Sequence, residues 1–238
     1  MPGWRGEMTM LKKVLALTAL LMVVPFASAR DDLIAIDVLI QPDAKMVDEA
    51  GKWNGMMREQ IPDGFELDAE HAPHITLLQL YVAQADLPKV MAAVEKAKSG
   101  YDLGSLEMTA TGLYHIANGK VGLAGIVIKP TEQLQVLQQA MIDAAGQYAV
   151  KGGDASAFVP DKSGAAFPPA LFEYVDTFIP KQTGTQYNPH VTIGVAPLDW
   201  LKALEAKPFE AFTFGARRIA IYQLGNYGTA SKRLDSGQ

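Results

Sequence analysis

Pro73-His74-Ile75-Thr76 and Pro189-His190-Val191-Thr192 are one local pattern written twice, and they hold two of the four histidines in the chain. In each copy a proline precedes the histidine and a β-branched residue separates it from a threonine. Proline lacks an N–H and favours extended backbone before it, so each copy reads as the opening of a strand. On a strand, residues i and i+2 share a face and lie about 6.5 to 7 Å apart. Imidazole and hydroxyl therefore face one way together, while Ile75 and Val191 face the other way, where a core takes them.

Working outward from the first copy, Leu33, Ile34, Ile36, Val38 and Ile40 form an alternating apolar run closed by Pro42, which predicts a strand. Asp43 is placed to cap a helix carrying Met46, Val47, Ala50, Trp53, Asn54 and Met57, broken by Pro62-Asp63-Gly64. Residues 74–82 read as a second strand, and Leu87, Val90, Met91, Val94 and Ala97 mark a second helix ending at Gly100. Strands over 106–115 and 121–128 flank Asn118-Gly119, a strong hairpin signal.

The pattern then repeats. Pro130 opens a helix through Leu134, Leu137, Ala140, Met141 and Ala144, and residues 190–196 form the strand of the second copy. A short helix over 199–204 and closing strands over 209–214 and 218–224 complete the half. Leu33 and Val121 are 88 positions apart but the two histidines 116. The difference implies an insertion of about 28 residues in the second half, between Val150 and Tyr187. It begins as a loop at Gly152-Gly153. After Pro168-Pro169 it continues as one amphipathic helix through Leu171, Phe172, Val175, Phe178 and Ile179, stopped by Pro180. Roofing a cleft and simple surface decoration are both open to it. The expected fold is α+β: a bilobal, pseudo-symmetric domain over residues 30–238, with lobes at about 32–118 and 119–228 and an insertion at about 150–187. Antiparallel-rich sheets line a central cleft and helices lie outside.

Composition bounds the chemistry. The 238 residues are 49% hydrophobic and contain no cysteine, so a sizeable core is available, whereas disulfides, thiolate metal sites and a cysteine nucleophile are excluded. Residues 1–29 read as a signal peptide: Lys12 and Lys13, thirteen mostly apolar residues over 14–26, then the small-residue cleavage pattern Ala27-Ser28-Ala29. The expected location is periplasmic or secreted, without stable membrane insertion once the signal is removed, since a spanning helix needs about 20 apolar residues. That stretch carries Arg5, Lys12, Lys13 and Glu7, so 18 basic and 25 acidic residues remain and the charge changes from −5 to −7. Bulk nucleic-acid binding, which needs a basic footprint, is disfavoured. A nucleotide or RNA-end partner would be small or locally held.

One imidazole–hydroxyl pair is half a site. Displacement at phosphorus sets attacking and leaving oxygens on opposite sides, so base and acid must come from opposite walls. A neutral imidazole takes a proton, an imidazolium gives one, and a threonine hydroxyl can donate to a phosphoryl oxygen. With an ordinary pKa near 6.5, both histidine forms exist around neutrality. His74 and His190 are thus the candidate acid–base pair, with Thr76 and Thr192 beside them; this chemistry calls for no metal or cofactor. The copies are alike, so the pattern assigns acid and base to the pair and to neither member.

His74-Ile-Thr-Leu and His190-Val-Thr-Ile resemble the paired motifs of the 2H phosphoesterase superfamily, in particular its bacterial 2′-5′ RNA ligase and cyclic phosphodiesterase branch. Ile219-Ala220-Ile221-Tyr222-Gln223, with Gly225 and Tyr227, is similar to that branch's closing segment. The resemblance implies a bilobal fold with a central groove and metal-independent hydrolysis or transfer at 2′,3′-cyclic phosphate or 2′-5′ phosphodiester bonds. It also implies His74 and His190 as the acid–base pair, Thr76 and Thr192 as phosphate binders, and Tyr222 as a substrate contact. A periplasmic nucleotide- or phosphate-binding protein without turnover is the alternative reading.

Other features weigh less. His71 and His74 could join His190 and Glu70 around a metal, but i and i+3 on an extended segment face opposite sides. His115, near the predicted hairpin, reads as an ordinary strand or turn residue. Gly112 and Gly119-Lys120 fail as a phosphate loop, because six residues separate the glycines and Val121 stands where Ser or Thr is needed. Tyr81 and Tyr187 could stack a base. Lys181, Arg217, Arg218, Lys232 and Arg233 could form a local positive rim.

Overall fold

A computed structural model of the protein describes residues 32–161 and 164–235; the signal-peptide reading of residues 1–29 lies outside the described residues. The strands are β1 (Leu33–Pro42), β2 (Ile75–Ala83), β3 (Glu107–Asn118), β4 (Val121–Ile128), β5 (His190–Pro197), β6 (Phe212–Leu224) and β7 (Ala230–Arg233). The helices are α1 (Ala44–Gln60), α2 (Leu87–Lys98), α3 (Glu132–Ala145), α4 (Pro169–Asp176), α5 (Phe178–Lys181) and α6 (Leu198–Glu205). The strands join in the order β2-β1-β6-β3-β4-β5, with β7 beside β6 and every pairing antiparallel. This is the expected mixed helix and antiparallel-sheet fold.

The pairing yields two sets of four, β2-β1-β6-β7 and β5-β4-β3-β6. Both carry the same irregularity at the same place. In the first set the register slips between Val38↔Leu78 and Leu39↔Thr76, leaving Leu77 as the extra residue. In the second it slips between Ala124↔Gly194 and Gly125↔Thr192, leaving Ile193 as the extra residue. Each bulge thus follows the motif threonine and re-aims the strand start that carries the histidine.

Two expectations are corrected. The two closing strands are one: β6 runs unbroken through Gly215, Ala216 and Arg217 because Asp43 takes over the pairing there. Its carboxylate accepts from the Gly215 N–H (2.7 Å), and its own N–H donates to the Gly215 carbonyl (2.9 Å). β6 therefore pairs β3 over its first part and β1 over its second, so it belongs to both halves. By the same pairing β3 sits with β4 in the second set, and a boundary at 118/119 would cut the hairpin where Asn118 faces Val121 and Gly119 turns with φ +62.

Local signals act as read elsewhere. Asp43 caps α1 by accepting from the Met46 N–H (3.2 Å). Thr131 rather than Pro130 caps α3, accepting from the Leu134 N–H (3.2 Å). The buried stripe of α1 is Met46, Ala50, Asn54 and Met57; that of α3 is Leu134, Leu137, Gln138, Met141 and Ala145. Each stripe is one-sided at helical spacing, and each large apolar side chain so buried contributes about 1.5 to 3 kcal/mol. α1 follows the first strand of one half but packs on β5 of the other, and α3 packs on β2. The helices thereby tie the halves together over one core that includes Ile36, Val38, Leu78, Ile126 and Val191.

The insertion folds onto the other sheet face. Phe158 meets Tyr81 edge-on, and Phe158 with Leu171 and Val175 covers Leu33, Ala35 and Leu224. It holds two short helices instead of one: Thr177 separates them, and Pro180 lies inside α5 without ending the segment before it.

Candidate active site

His74 directly precedes β2 and His190 opens β5, and both rings are held by the same short-range bond. His74 Nδ1 lies 2.8 Å from the Ala72 carbonyl, and His190 Nδ1 lies 2.8 Å from the Asn188 carbonyl. A carbonyl only accepts, so each Nδ1 carries a hydrogen and each Nε2 is left to exchange protons. The intervening Pro73 and Pro189 hold the extended turn that brings the i−2 carbonyl under the ring. His74 and Thr192, which belong to different halves, line one pocket together with Phe65, His71 and Tyr227. His190 stands edge-on to Tyr114, ring centroids 5.0 Å apart. Gly125 makes this possible, because a Cβ there would lie 2.5 Å from the Tyr114 ring.

The environments of the two rings differ. Burial alone would lower the His74 pKa, but the hydrogen bond and charge of Asp37, aided by the Ala72 carbonyl, outweigh it and hold His74 above its ordinary value. Asp37 Oδ2 lies 3.5 Å from His74 Nε2. For His190 burial dominates: it and the positive charge of His74 together exceed the pull of the Asn188 carbonyl and of Asp37, and the pKa is lowered. The charge of one ring is therefore felt at the other.

The threonines differ too. Thr76 Oγ1 donates to Asp37 Oδ2 (2.7 Å), while Thr192 makes no hydrogen bond through its hydroxyl among the described residues. A phosphoryl oxygen would find the Thr192 hydroxyl uncommitted. Thr76 would have to leave Asp37 to donate, and otherwise orients the carboxylate.

Tyr222 is not among the residues lining the pocket. Its ring is buried with Leu39, Ala220 and Ala230, and its hydroxyl accepts from Gln41 Nε2 (2.7 Å). Tyr81 is buried against Phe158, and Tyr187 donates to the Thr76 carbonyl (2.9 Å), so both brace the fold. His71 pairs with Asp68 (3.1 Å) and stacks on Phe65, which in turn stacks on Tyr227. Among the described residues no three His, Asp or Glu side chains converge as a metal site. His115 bonds Glu205 (2.6 Å) as an ordinary strand residue. Of the five basic residues open to a rim or to ordinary solvation, Lys181 pairs with Glu173 (3.0 Å) and Arg233 with Asp235 (2.7 Å).

Three polar residues have partners that the sequence does not show. Asp37 is fully buried on β1. On α1, Asn54 Nδ2 donates to the carbonyls of Ile193 (2.9 Å) and Phe65 (3.0 Å), and Asn54 Oδ1 accepts from the Leu67 N–H (3.1 Å). On α3, Gln138 Nε2 donates to the carbonyls of Leu77 and Gln182 (both 3.2 Å). Each amide thus grips the bulge residue behind one motif and the segment leading into the other motif's histidine. The signal was present in the sequence as a lone amide in each otherwise apolar helix stripe.

Two imidazoles at the starts of equivalent strands, each with Nδ1 bonded to the carbonyl two residues earlier and with His74 Nε2 beside Asp37, make a duplicated two-histidine arrangement. Residues 58–227, well over half of the chain, match the family model of the 2′-5′ RNA ligase superfamily, and the protein belongs to that superfamily. No curated protein matches the chain. Among solved structures, Usb1 of Kluyveromyces marxianus is similar at 13% identity with a TM-score of 0.44, over 86% of this chain and 98% of that one. The same protein with uridine monophosphate aligns at 11% identity with a TM-score of 0.39, over 82% of this chain and all of the other. Superfamily membership supports an enzyme that cleaves or joins phosphodiester bonds.

Proposed function

We propose that the protein is an exported phosphoesterase that acts on 2′,3′-cyclic phosphate or 2′-5′ phosphodiester bonds of small nucleotides or RNA ends. His74 and His190 are its acid–base pair, and Thr192 is the principal hydroxyl donor to the phosphoryl group. The observation that carries this reading is the duplicated ring placement: each histidine has Nδ1 bonded to the carbonyl two residues earlier, with His74, beside Asp37, held above its ordinary pKa and His190 held below. A pair of histidines split in this way supplies both partners of a proton relay near neutral pH. The scheme needs no metal, because charge at phosphorus is met by an imidazolium and a hydroxyl. Export is supported by the basic, apolar and small-residue order of residues 1–29.

The test is incubation of the purified protein with 2′,3′-cyclic nucleotides and 2′-5′ dinucleotides in chelator, with product identification. One phosphomonoester isomer is expected from the cyclic substrate. His74→Ala and His190→Ala should each lower the rate by about 10² to 10⁴, the usual worth of a positioned acid or base. Full activity in either variant refutes the assignment. N-terminal sequencing of the exported protein should begin near residue 30.

A further inference from the structure

The two tetrapeptides are alike, yet their surroundings break the symmetry at one residue. Asp37 is fully buried on β1, and its Oδ2 accepts from Thr76 Oγ1 (2.7 Å) and Gln79 Nε2 (2.9 Å) and lies 3.5 Å from His74 Nε2. Its Oδ1 has no hydrogen-bond partner, and no lysine or arginine among the described residues pairs with it. An ionised carboxylate held by neutral donors alone in a buried site is costly, and a nearby cation relieves the cost. His74 is the one group placed to supply that cation.

In the other half Gly125 faces Thr192 as Leu39 faces Thr76, so the residue two positions earlier, Leu123, stands where Asp37 stands. Leucine offers His190 no counter-charge. Asp37 also lies outside residues 58–227, the part of the chain that the superfamily model matches.

We propose that Asp37 fixes the division of labour between the histidines: it keeps His74 as the imidazolium that protonates the leaving oxygen, and leaves His190 neutral to deprotonate the attacking one. The proposal rests on the phosphoesterase reading above and deepens it. For a 2′,3′-cyclic phosphate, His190 Nε2 takes a proton from water as the water oxygen bonds to phosphorus. The P–O bond to one ribose oxygen breaks, and the His74 Nε2 proton passes from its place beside Asp37 to that oxygen. The product is a phosphomonoester with a free ribose hydroxyl. His190 then loses its proton to solvent and His74 regains one, so the cycle closes. Asp37 touches His74 and not the substrate, so it is a positioning residue.

The other groups around Asp37 and His74 do not disturb this order. Thr76 on β2 is neutral and committed to Asp37, and His71, in the segment leading to β2, pairs with Asp68. Tyr187 before β5 and Tyr174 on α4 are pushed up by burial, Tyr174 to about 12, so both stay neutral. His190 on β5 is the remaining titrating neighbour.

The test is a ¹⁵N-histidine NMR titration of the resting full-length protein, with Asp37→Asn as the variant. In the unmodified protein His74 should titrate at higher pH than His190, a measurement that needs no substrate and no variant. In Asp37→Asn the His74 midpoint should fall, and by more than the His190 midpoint moves. In turnover of a 2′,3′-cyclic nucleotide the alkaline limb of the kcat/KM profile should move to lower pH in Asp37→Asn. The rate at pH 8 then drops about tenfold, with the alkaline limb moving further than the acidic one, as loss of one charge-assisted bond predicts. A 4-nitrophenyl nucleotide ester, whose leaving group needs no proton, should be turned over by His74→Ala and not by His190→Ala. The opposite titration order, or Asp37→Asn leaving His74 and the alkaline limb in place, overturns the proposal. The expected NMR order with no turnover of any phosphodiester refutes the phosphoesterase reading alone.

Discussion

Replacing Asn54 by alanine removes the amide that joins α1 to both motif segments, and its cost can be worked bond by bond. The side chain is 4% exposed and makes three hydrogen bonds, to the carbonyls of Ile193 and Phe65 and from the Leu67 N–H. Each buried bond is worth about 1 kcal/mol net, and orphaned partners add to that, so Asn54→Ala should lose about 3 kcal/mol. A domain of this size loses about 2 to 4 °C of melting temperature per kcal/mol, which predicts a fall of about 6 to 12 °C. Gln138→Ala removes two such bonds and should cost about 2 kcal/mol. Gln139→Ala, whose surface bond is to Asp143, should stay within about 0.5 kcal/mol. Urea unfolding followed by circular dichroism measures all three. Well below the melting point, Asn54→Ala should still turn over a cyclic nucleotide about 10- to 100-fold more slowly, since the approach to His74 and the bulge behind His190 both lose their anchor. If Asn54→Ala stays as close to the parent in stability as the surface variant does, with the fold intact, these amides do not brace the site.

Four further outcomes follow from the site. Thr192→Val should leave stability unchanged and lower kcat/KM about 10- to 100-fold, the worth of a bond to a charged acceptor, as steady-state kinetics would show. Thr76→Val removes a donor to buried Asp37 and should cost about 1 to 3 kcal/mol in denaturant unfolding. The raised His74 contributes stability that is full below its unfolded value near 6.5 and is lost as pH rises through its folded value. The lowered His190 contributes stability that is full above its unfolded value and is lost as pH falls through its folded one. Urea midpoints should therefore decline from pH 6 to 8 in His190→Gln and rise as pH climbs toward neutrality in His74→Gln. Gly125→Ala drives a methyl into the Tyr114 ring and should lower the melting temperature, whereas Gly112→Ala, with nothing within 4 Å of the added carbon, should not.

Much of the fold was legible in the sequence. The i, i+2 rule put imidazole and hydroxyl on one face of β2 and β5, and the length difference between the halves located the insertion. Tyr222 shows the limit of such reading. Its place in a likeness of sequence suggested a substrate contact, but β7 and Leu39 bury its ring, and Gln41 occupies its hydroxyl. Nothing local to residues 219–223 reports that β7 lies alongside.

The chain's own order of residues determined where strands and helices form, that the histidine motif is duplicated, and which side chains of each motif point together. These follow from backbone geometry and hydrophobic spacing, which act over a few residues. The tertiary structure alone decided that β6 serves both halves, that α1 braces the opposite strand, and that Asp37 is buried beside His74. A period-2 reading of β1 would leave Asp37 on a wetted face, and it becomes a buried counter-charge because the insertion packs over that face of β1. Thr76 reaches Asp37 across 39 positions and Asn54 reaches Ile193 across 139. Such pairings depend on how whole layers stack, and so the same four residues written twice come to hold two histidines of opposite character.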